Sequence, residues 1–196
     1  MCIMNNTRYI LNATREGTMS QTNIFVLINV VGGIAVLGSY VLCLMMFPEQ
    51  REALWGGVVG TTRNIVVISM LFSAAGYLAF LYISVFNVST DLFSEKSLMN
   101  GNLILILALT FLLSSTAWMP TSVAFLETSN NLYWNLSVAS LWVAAISLIG
   151  LFITVFITDF SGASNLPKII SVAGLGMITF HCLVFDAIMW VSNFPK

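Results

Sequence analysis

One histidine and one aspartate lie within the last apolar segment of the chain. His181 is the only histidine in the sequence, and five apolar residues, 187–191, follow Asp186 before polar residues return. At 1.5 Å per residue, Asp186 therefore lies about 8 Å inside the end of a helix over this segment. An ionised aspartate in a membrane costs about 3 kcal/mol, so we expect Asp186 to face the helix bundle and to be paired or protonated. Such residues serve as proton relays, ion sites or ligand anchors.

The spacing of these two residues argues against a shared site on one helix face. Five residues rotate Asp186 about 140° from His181 in an α-helix, whereas residues that face each other are three or four apart. The helix instead places Asp186 on one stripe with Ser171, Thr179 and Cys182. We therefore expect the partner of Asp186 to come from another helix, and His181 to have a structural role with a different neighbour.

Small residues and hydroxyls recur along the other apolar segments, and two interpretations of them stay open. The fourth segment repeats Ser140, Ser147 and Thr154 every seven residues, and the second has a stripe with Ser69. Such faces either line a polar pathway that reaches Asp186 or act as packing seams that let helices approach closely.

Trp118-Met119-Pro120 in the third segment predicts a kink. Pro120 lacks the N–H that would bond to the carbonyl of Thr116, and its ring crowds that turn. The freed carbonyl needs a partner inside a membrane, so the kink is either part of a hinge or pocket, or a passive bend. Trp118 lies deep enough to pack on a bound apolar molecule or in the core. The residues that we assign to a hypothetical ligand or ion pathway are Asp186, His181, Thr179, Ser147, Thr154, Pro120 and Trp118.

The composition requires lipid as the solvent of this protein. Its 196 residues are 58% hydrophobic and 8% charged, whereas a soluble domain carries about 25% charged residues. The net charge of −1 excludes a basic surface for nucleic acid. Three cysteines without a spacing pattern argue against a disulfide framework or a metal site. We find no motif for a cofactor.

Five segments are long enough to cross a hydrocarbon core of about 30 Å as helices. The predicted transmembrane domain 23–191 has spans at 23–46, 64–86, 103–126, 133–157 and 169–191, between a polar tail 1–22 and a short tail 192–196. Continuous apolar runs predict an all-α bundle rather than a β-barrel. Because the connections are short, we expect consecutive helices to be antiparallel neighbours. Four cationic residues on one side against three on the other leave the orientation open, and the glycosylation triplets favour an exterior N-terminus.

Two dipeptide patterns resemble those of a known membrane family. Gly76-Tyr77 and Trp118-Met119-Pro120 are similar to the Gly-Tyr and Trp-x-Pro patterns of the tryptophan-rich translocator-protein family, which also packs five helices into a small chain. The Pro-Pro pair of that family before its second helix is absent here, and the stretch from Leu166-Pro167 to the end is longer than the resemblance would allow. We carry over no site residues from it.

These features predict a small multi-pass membrane protein that binds or conducts a small solute or ion through a polar bundle interior near Asp186. The alternative is an accessory, non-catalytic subunit of a larger membrane complex. Expected partners are membrane lipids, together with a second copy of the chain or other membrane subunits. We expect no enzymatic activity, because lipid-modifying enzymes need clustered acids or histidines.

Overall fold

The structure, a computed structural model, describes residues 20–88, 92–93, 101–160 and 164–195. All regular elements in these ranges are helical, and five helices are long and apolar enough to cross a membrane. They are α1 (Gln21–Met46), α2 (Gly60–Phe86), α3 (Gly101–Thr128), α4 (Asn131–Ile157) and a last helix, Leu166–Asn193. The prediction of an all-α, five-span bundle is confirmed, and each boundary lies within four residues of the expected one. Most of the predicted N-terminal tail lies outside the described residues.

The last helix changes its backbone geometry part of the way along. It begins as α5 (Leu166–Phe180), continues as a π-helix over His181–Trp190, and ends in the short α6 (Val191–Asn193). We call the π-helical stretch the π segment. Its backbone hydrogen bonds join residues five apart, where an α-helix joins residues four apart. The wider turn decides which side chains of this segment meet.

The order of the helices around the bundle differs from the expected one. α1 packs along α3, α3 along α4, α4 along α5, and α5 along α2. α1 and α2 are neighbours, but they meet through side chains rather than through close backbone packing. In the described ranges, α2 and α3 share no extended backbone interface, so the expectation that consecutive helices are neighbours was wrong for this pair. The physical reason is loop length. Only Ser129 and Asn130 separate α3 from α4, whereas 14 residues separate the end of α2 from the start of α3, which is enough chain to reach across the bundle.

Side chains rather than backbones join α1 to α2. The buried Tyr77 hydroxyl donates a hydrogen bond to Asn29 Oδ1 at 2.7 Å, and the rings of Phe25 and Phe80 meet edge to face at 6.1 Å between centroids. The Asn29 amide also donates to the carbonyl of Phe25 at 2.8 Å. The Tyr77–Asn29 hydrogen bond satisfies polar groups that lipid could not. Together with the contact between Phe25 and Phe80, it closes the ring of five helices between α1 and α2.

Two glycines bring α2 and α5 into close contact. A Cβ atom on Gly76 of α2 would lie 2.8 Å from the carbonyl oxygen of Gly174 and 2.9 Å from its Cα. Glycine is therefore required here by packing, because any side chain would push α2 and α5 apart. Seven residues from each glycine, Ser69 of α2 meets His181 of the π segment. The glycine contact thus sets the distance between the helices that carry the candidate site.

The loop after α1 covers the end of the bundle next to the π segment. It contains 3₁₀ turns at Pro48–Gln50 and Ala53–Trp55. The Trp190 indole N–H donates to the carbonyl of Leu54 at 2.8 Å, and the Gly57 N–H donates to the carbonyl of Asn193 at 3.0 Å. These bonds fix the C-terminal end of the π segment to the loop.

Candidate functional site

His181 and Asp186 face each other, which the α-helical reading of the sequence excluded. His181 Nε2 lies 3.5 Å from Asp186 Oδ1. The expectation that the two side chains point to different neighbours was wrong, and so was the expectation that the partner of Asp186 must come from another helix. The cause is the π segment, in which residues five apart stack on successive turns.

The other ring nitrogen of His181 meets a serine on a neighbouring helix. His181 Nδ1 and Ser69 Oγ are 3.0 Å apart and both groups are buried. The sequence placed Ser69 in a stripe of small residues and gave no signal that it would meet His181. The three side chains form a continuous row, Ser69–His181–Asp186, which we call the relay. Ser73 lies four residues after Ser69 on α2, in the direction of Gly76. Its Oγ donates a hydrogen bond to the carbonyl of Met177 at 3.3 Å.

Asp186 lies between groups that can interact with its charge. Cys182 lies four residues before Asp186 in the π segment, and its thiol is a hydrogen-bonding neighbour of the carboxyl group. The Tyr40 phenol of α1 lies within electrostatic range of both Asp186 and Cys182. The Asp186 side chain is 31% exposed, whereas that of His181 is 6% exposed. Asp186 is therefore the member of the relay that another molecule can reach.

Aromatic rings form one wall beside the relay. The Trp118 ring of α3 lies 5.6 Å from that of Tyr40 and 5.5 Å from that of Trp190, measured between centroids. Trp190 also stacks on Trp134 of α4 at 5.7 Å. Within the described part of the chain, the buried Trp118 indole N–H has no hydrogen-bond partner. The predicted pathway residue Trp118 thus lies on the π-segment side of α3.

The hydroxyl groups near Pro120 bond to carbonyls of their own helix. Pro120 lies inside α3, and the Ser122 and Thr121 hydroxyls donate to the carbonyl of Trp118 at 2.8 and 3.0 Å. Ser122 Oγ also lies 2.7 Å from Ser137 Oγ of α4. These contacts satisfy polar groups around the proline turn and join α3 to α4.

The remaining predicted pathway residues make contacts typical of helix packing. Ser147 and Thr154 are buried, and their hydroxyls donate to the carbonyls of Val143 and Gly150 at 2.8 Å each. The Thr179 hydroxyl reaches across to the carbonyl of Leu148 on α4 at 3.4 Å. The Thr179 bond joins the last helix to α4, as hydroxyl groups do between helices in lipid, whereas the Ser147 and Thr154 bonds stay within α4. A role for these three residues in a pathway stays a prediction.

An apolar groove of about 250 Å³ lies apart from the relay, between α1 and α2. Val26 and Val30 line it from α1, and Leu78 and Tyr82 are among the residues that line it from α2. Among the described residues, no group of three or more histidine, cysteine, aspartate or glutamate side chains is placed to hold a metal ion. The relay is therefore the part of the described structure with the most evident acid–base chemistry.

Comparison of the chain with protein-family models, with curated proteins and with solved structures found no match. The class of the protein, a multi-pass integral membrane protein, rests on its five apolar helices. Its role must be inferred from the geometry of the relay.

Proposed function

We propose that the protein binds a proton at the Asp186–His181 pair and passes it through the membrane interior, as a proton-conducting or proton-coupled transport protein. The observation that carries this proposal is the 3.5 Å approach of the only histidine to an aspartate inside an apolar helix. An intramembrane acid beside a histidine is costly to maintain, and such residues mark proton and ion pathways.

The chemistry of the three groups favours a proton over a metal cation. A neutral imidazole donates from one ring nitrogen and accepts at the other, and it changes charge near neutral pH more readily than any other side chain. His181 has Ser69 on one nitrogen and Asp186 on the other. Calcium takes six to eight oxygen ligands and magnesium an octahedral set, which one carboxylate does not supply.

The position of Ser69 argues against a hydrolytic role for the same three residue types. A serine nucleophile needs N–H donors that stabilise the oxyanion formed on its substrate. Ser69 lies in the middle of α2 (Gly60–Phe86), where backbone N–H groups are used by the helix itself. The hydroxyl is also buried against α5 and the π segment. Proton transfer requires neither an oxyanion site nor room for a large substrate.

Proton flux into liposomes tests this proposal. The purified protein is reconstituted with a pH-sensitive dye inside the vesicles, and a membrane potential drives proton entry. Asp186→Asn keeps the size of the side chain but cannot ionise, so we expect its flux to fall to that of empty vesicles. Asp159→Asn is the matched control, because Asp159 is fully exposed and lies 3.7 Å from Lys168 outside the relay. Flux at the wild-type rate in a well-folded Asp186→Asn protein would exclude the proposed role.

An accessory subunit of a larger membrane complex is the second candidate, and the surface of α1 supports it. Only 11% of the apolar window of α1 is buried, compared with 50% of that of α4. A partner helix could therefore cover much of α1. Mass measurement after mild solubilisation tests this alternative: additional chains bound to the protein would support it, and a monodisperse particle of one chain type would count against it.

A further inference from the structure

We infer that the π segment is a register switch that joins and separates Asp186 and His181. In the joined register the proton passes from the imidazolium of His181 to the carboxylate of Asp186, which leaves both groups neutral, and the change of register then moves the protonated carboxyl group away from the imidazole. This inference rests on the proposed function and adds its conformational step. In the π-helical register the two side chains face each other at 3.5 Å. In an α-helical register the same five-residue spacing turns them about 140° apart. A change between the π-helical and the α-helical register is therefore sufficient to open and close the pair.

The π segment has no local sequence feature that would make it π-helical. Sharp departures from α-helical geometry normally occur at proline, at glycine or serine pairs, or where a group inserts into the backbone ladder. The stretch His181–Trp190 contains no proline, glycine or serine. The two residues that flank it have ordinary helical φ and ψ angles, −59° and −47° at Phe180 and −60° and −40° at Val191. Nothing in the stretch itself excludes the α-helical register.

Tertiary contacts at both ends hold the wider register. At the start, His181 Nδ1 is 3.0 Å from Ser69 Oγ of α2. At the end, the Trp190 indole N–H bonds to the carbonyl of Leu54 at 2.8 Å. The helix between these two anchors accommodates more residues than an α-helix of the same height, because each π turn contains more of them. π-helices of this kind are rare, are usually single turns, and occur frequently at functional sites.

The charge of the pair links the register to the proton. Attraction between a protonated His181 and an ionised Asp186 favours the paired register, and loss of either charge removes that attraction. The Tyr40 phenol of α1 lies within electrostatic range of Asp186, and Cys182 is a neighbour of Asp186 on the same segment. From α2 the pair meets the neutral Ser69, and α4 contacts the segment through apolar residues and Trp134. In the described structure, no lysine or arginine faces the pair to hold it in one charge state.

Deletion of Val184 shortens the spacing between His181 and the aspartate from five residues to four and keeps both side chains. In the shortened chain the aspartate is four residues from His181, so the two face each other in a plain α-helix. Val184 is the suitable residue to delete because, unlike Leu183 and Phe185, it does not pack against the buried cluster that contains Trp190. We expect this variant to keep the histidine–aspartate contact but to lose flux to the level of Asp186→Asn. Val184→Ala, which keeps the register, should conduct like the wild type.

A distance measurement on the wild-type chain makes the test independent of whether the deletion variant folds. The sequence has a single histidine, so the coupling between ¹⁵N-labelled histidine and ¹³C-labelled aspartate carboxyl groups reports this pair in bilayers by solid-state NMR. We expect the coupling to be present at one end of the pH range over which flux changes and absent at the other. A coupling that stays constant across that range would overturn the switch, as would wild-type flux in the deletion variant. If Asp186→Asn abolishes flux in that case, the proton pathway stands and only the switch fails.

Discussion

Replacing Gly76 with alanine should loosen the contact between α2 and α5 and uncouple the relay. The new Cβ atom would lie 2.9 Å from the Cα of Gly174 and 2.8 Å from its carbonyl oxygen. Carbon atoms pack best at about 3.5–4.0 Å, so the two helices must separate by roughly 1 Å. Both obstructing atoms belong to the backbone, and a rotamer change cannot relieve the clash. Overpacking of this kind costs about 1–3 kcal/mol of unfolding free energy.

The same separation reaches the candidate site. Ser69 is seven residues from Gly76, about 10 Å along the helix at 1.5 Å per residue. The present 3.0 Å between Ser69 Oγ and His181 Nδ1 would grow to about 4 Å, beyond the limit of a hydrogen bond. We therefore expect Gly76→Ala to lower both the melting temperature and the proton flux in liposomes.

Thermal unfolding in detergent, followed by tryptophan fluorescence, measures the first effect. For a chain of this size 1 kcal/mol corresponds to about 2–4 °C, so we expect a loss of about 5 °C. Gly38→Ala is the matched control, because nothing lies within 4 Å of a Cβ atom at this position of α1, and alanine is the better helix former. Its melting temperature should stay the same or rise. Equal melting temperatures for Gly76→Ala and the wild type would refute the proposed glycine contact.

Two further predictions concern the side chains that tie the helices and the loop together. Tyr77→Phe removes the donor to Asn29 Oδ1, which is 2.7 Å away and buried, so the free energy of unfolding should fall by about 1–3 kcal/mol. Adding Asn29→Leu removes the unsatisfied amide and should recover part of this loss. No recovery in the double variant would show that the buried, unpaired Asn29 amide is not the cause of the loss. The hydrogen bond and charge of Arg63 hold the pKa of the Glu52 carboxyl below its ordinary value. The ionised carboxylate therefore stabilises the fold at any pH above the ordinary pKa of glutamate, and this stabilisation is lost as the pH falls through the lowered pKa of the folded protein. Glu52→Gln should therefore melt slightly below the wild type at neutral pH and together with it in strong acid, and a difference that grows in acid would contradict this sign.

Hydropathy alone predicted the boundaries of the five spans to within four residues. A helix that crosses lipid must satisfy its backbone internally and present apolar side chains, and both requirements can be read along a single chain. Gly76, Ser69 and Tyr77 were visible as members of a segment with small and polar residues. The partners of Gly76 and Ser69 were not visible, because Gly174 and His181 lie on the last helix, which the chain order does not place next to α2. Asn29 and Tyr77 lie on consecutive helices, but hydropathy does not show which of their side chains meet.

The order of the helices and the geometry of the relay were decided by tertiary structure. Loop length permits α2 and α3 to be separated, but only packing selects α3 as the neighbour of α1 and α5 as the neighbour of α2. The sequence by itself determined that a histidine and an aspartate lie five residues apart inside the membrane. Whether they meet depends on the helical register, which the Ser69 contact at one end and the Leu54 contact at the other hold wider than an α-helix. The physical reason is that local propensities within His181–Trp190 permit either register, and contacts from distant parts of the chain select one.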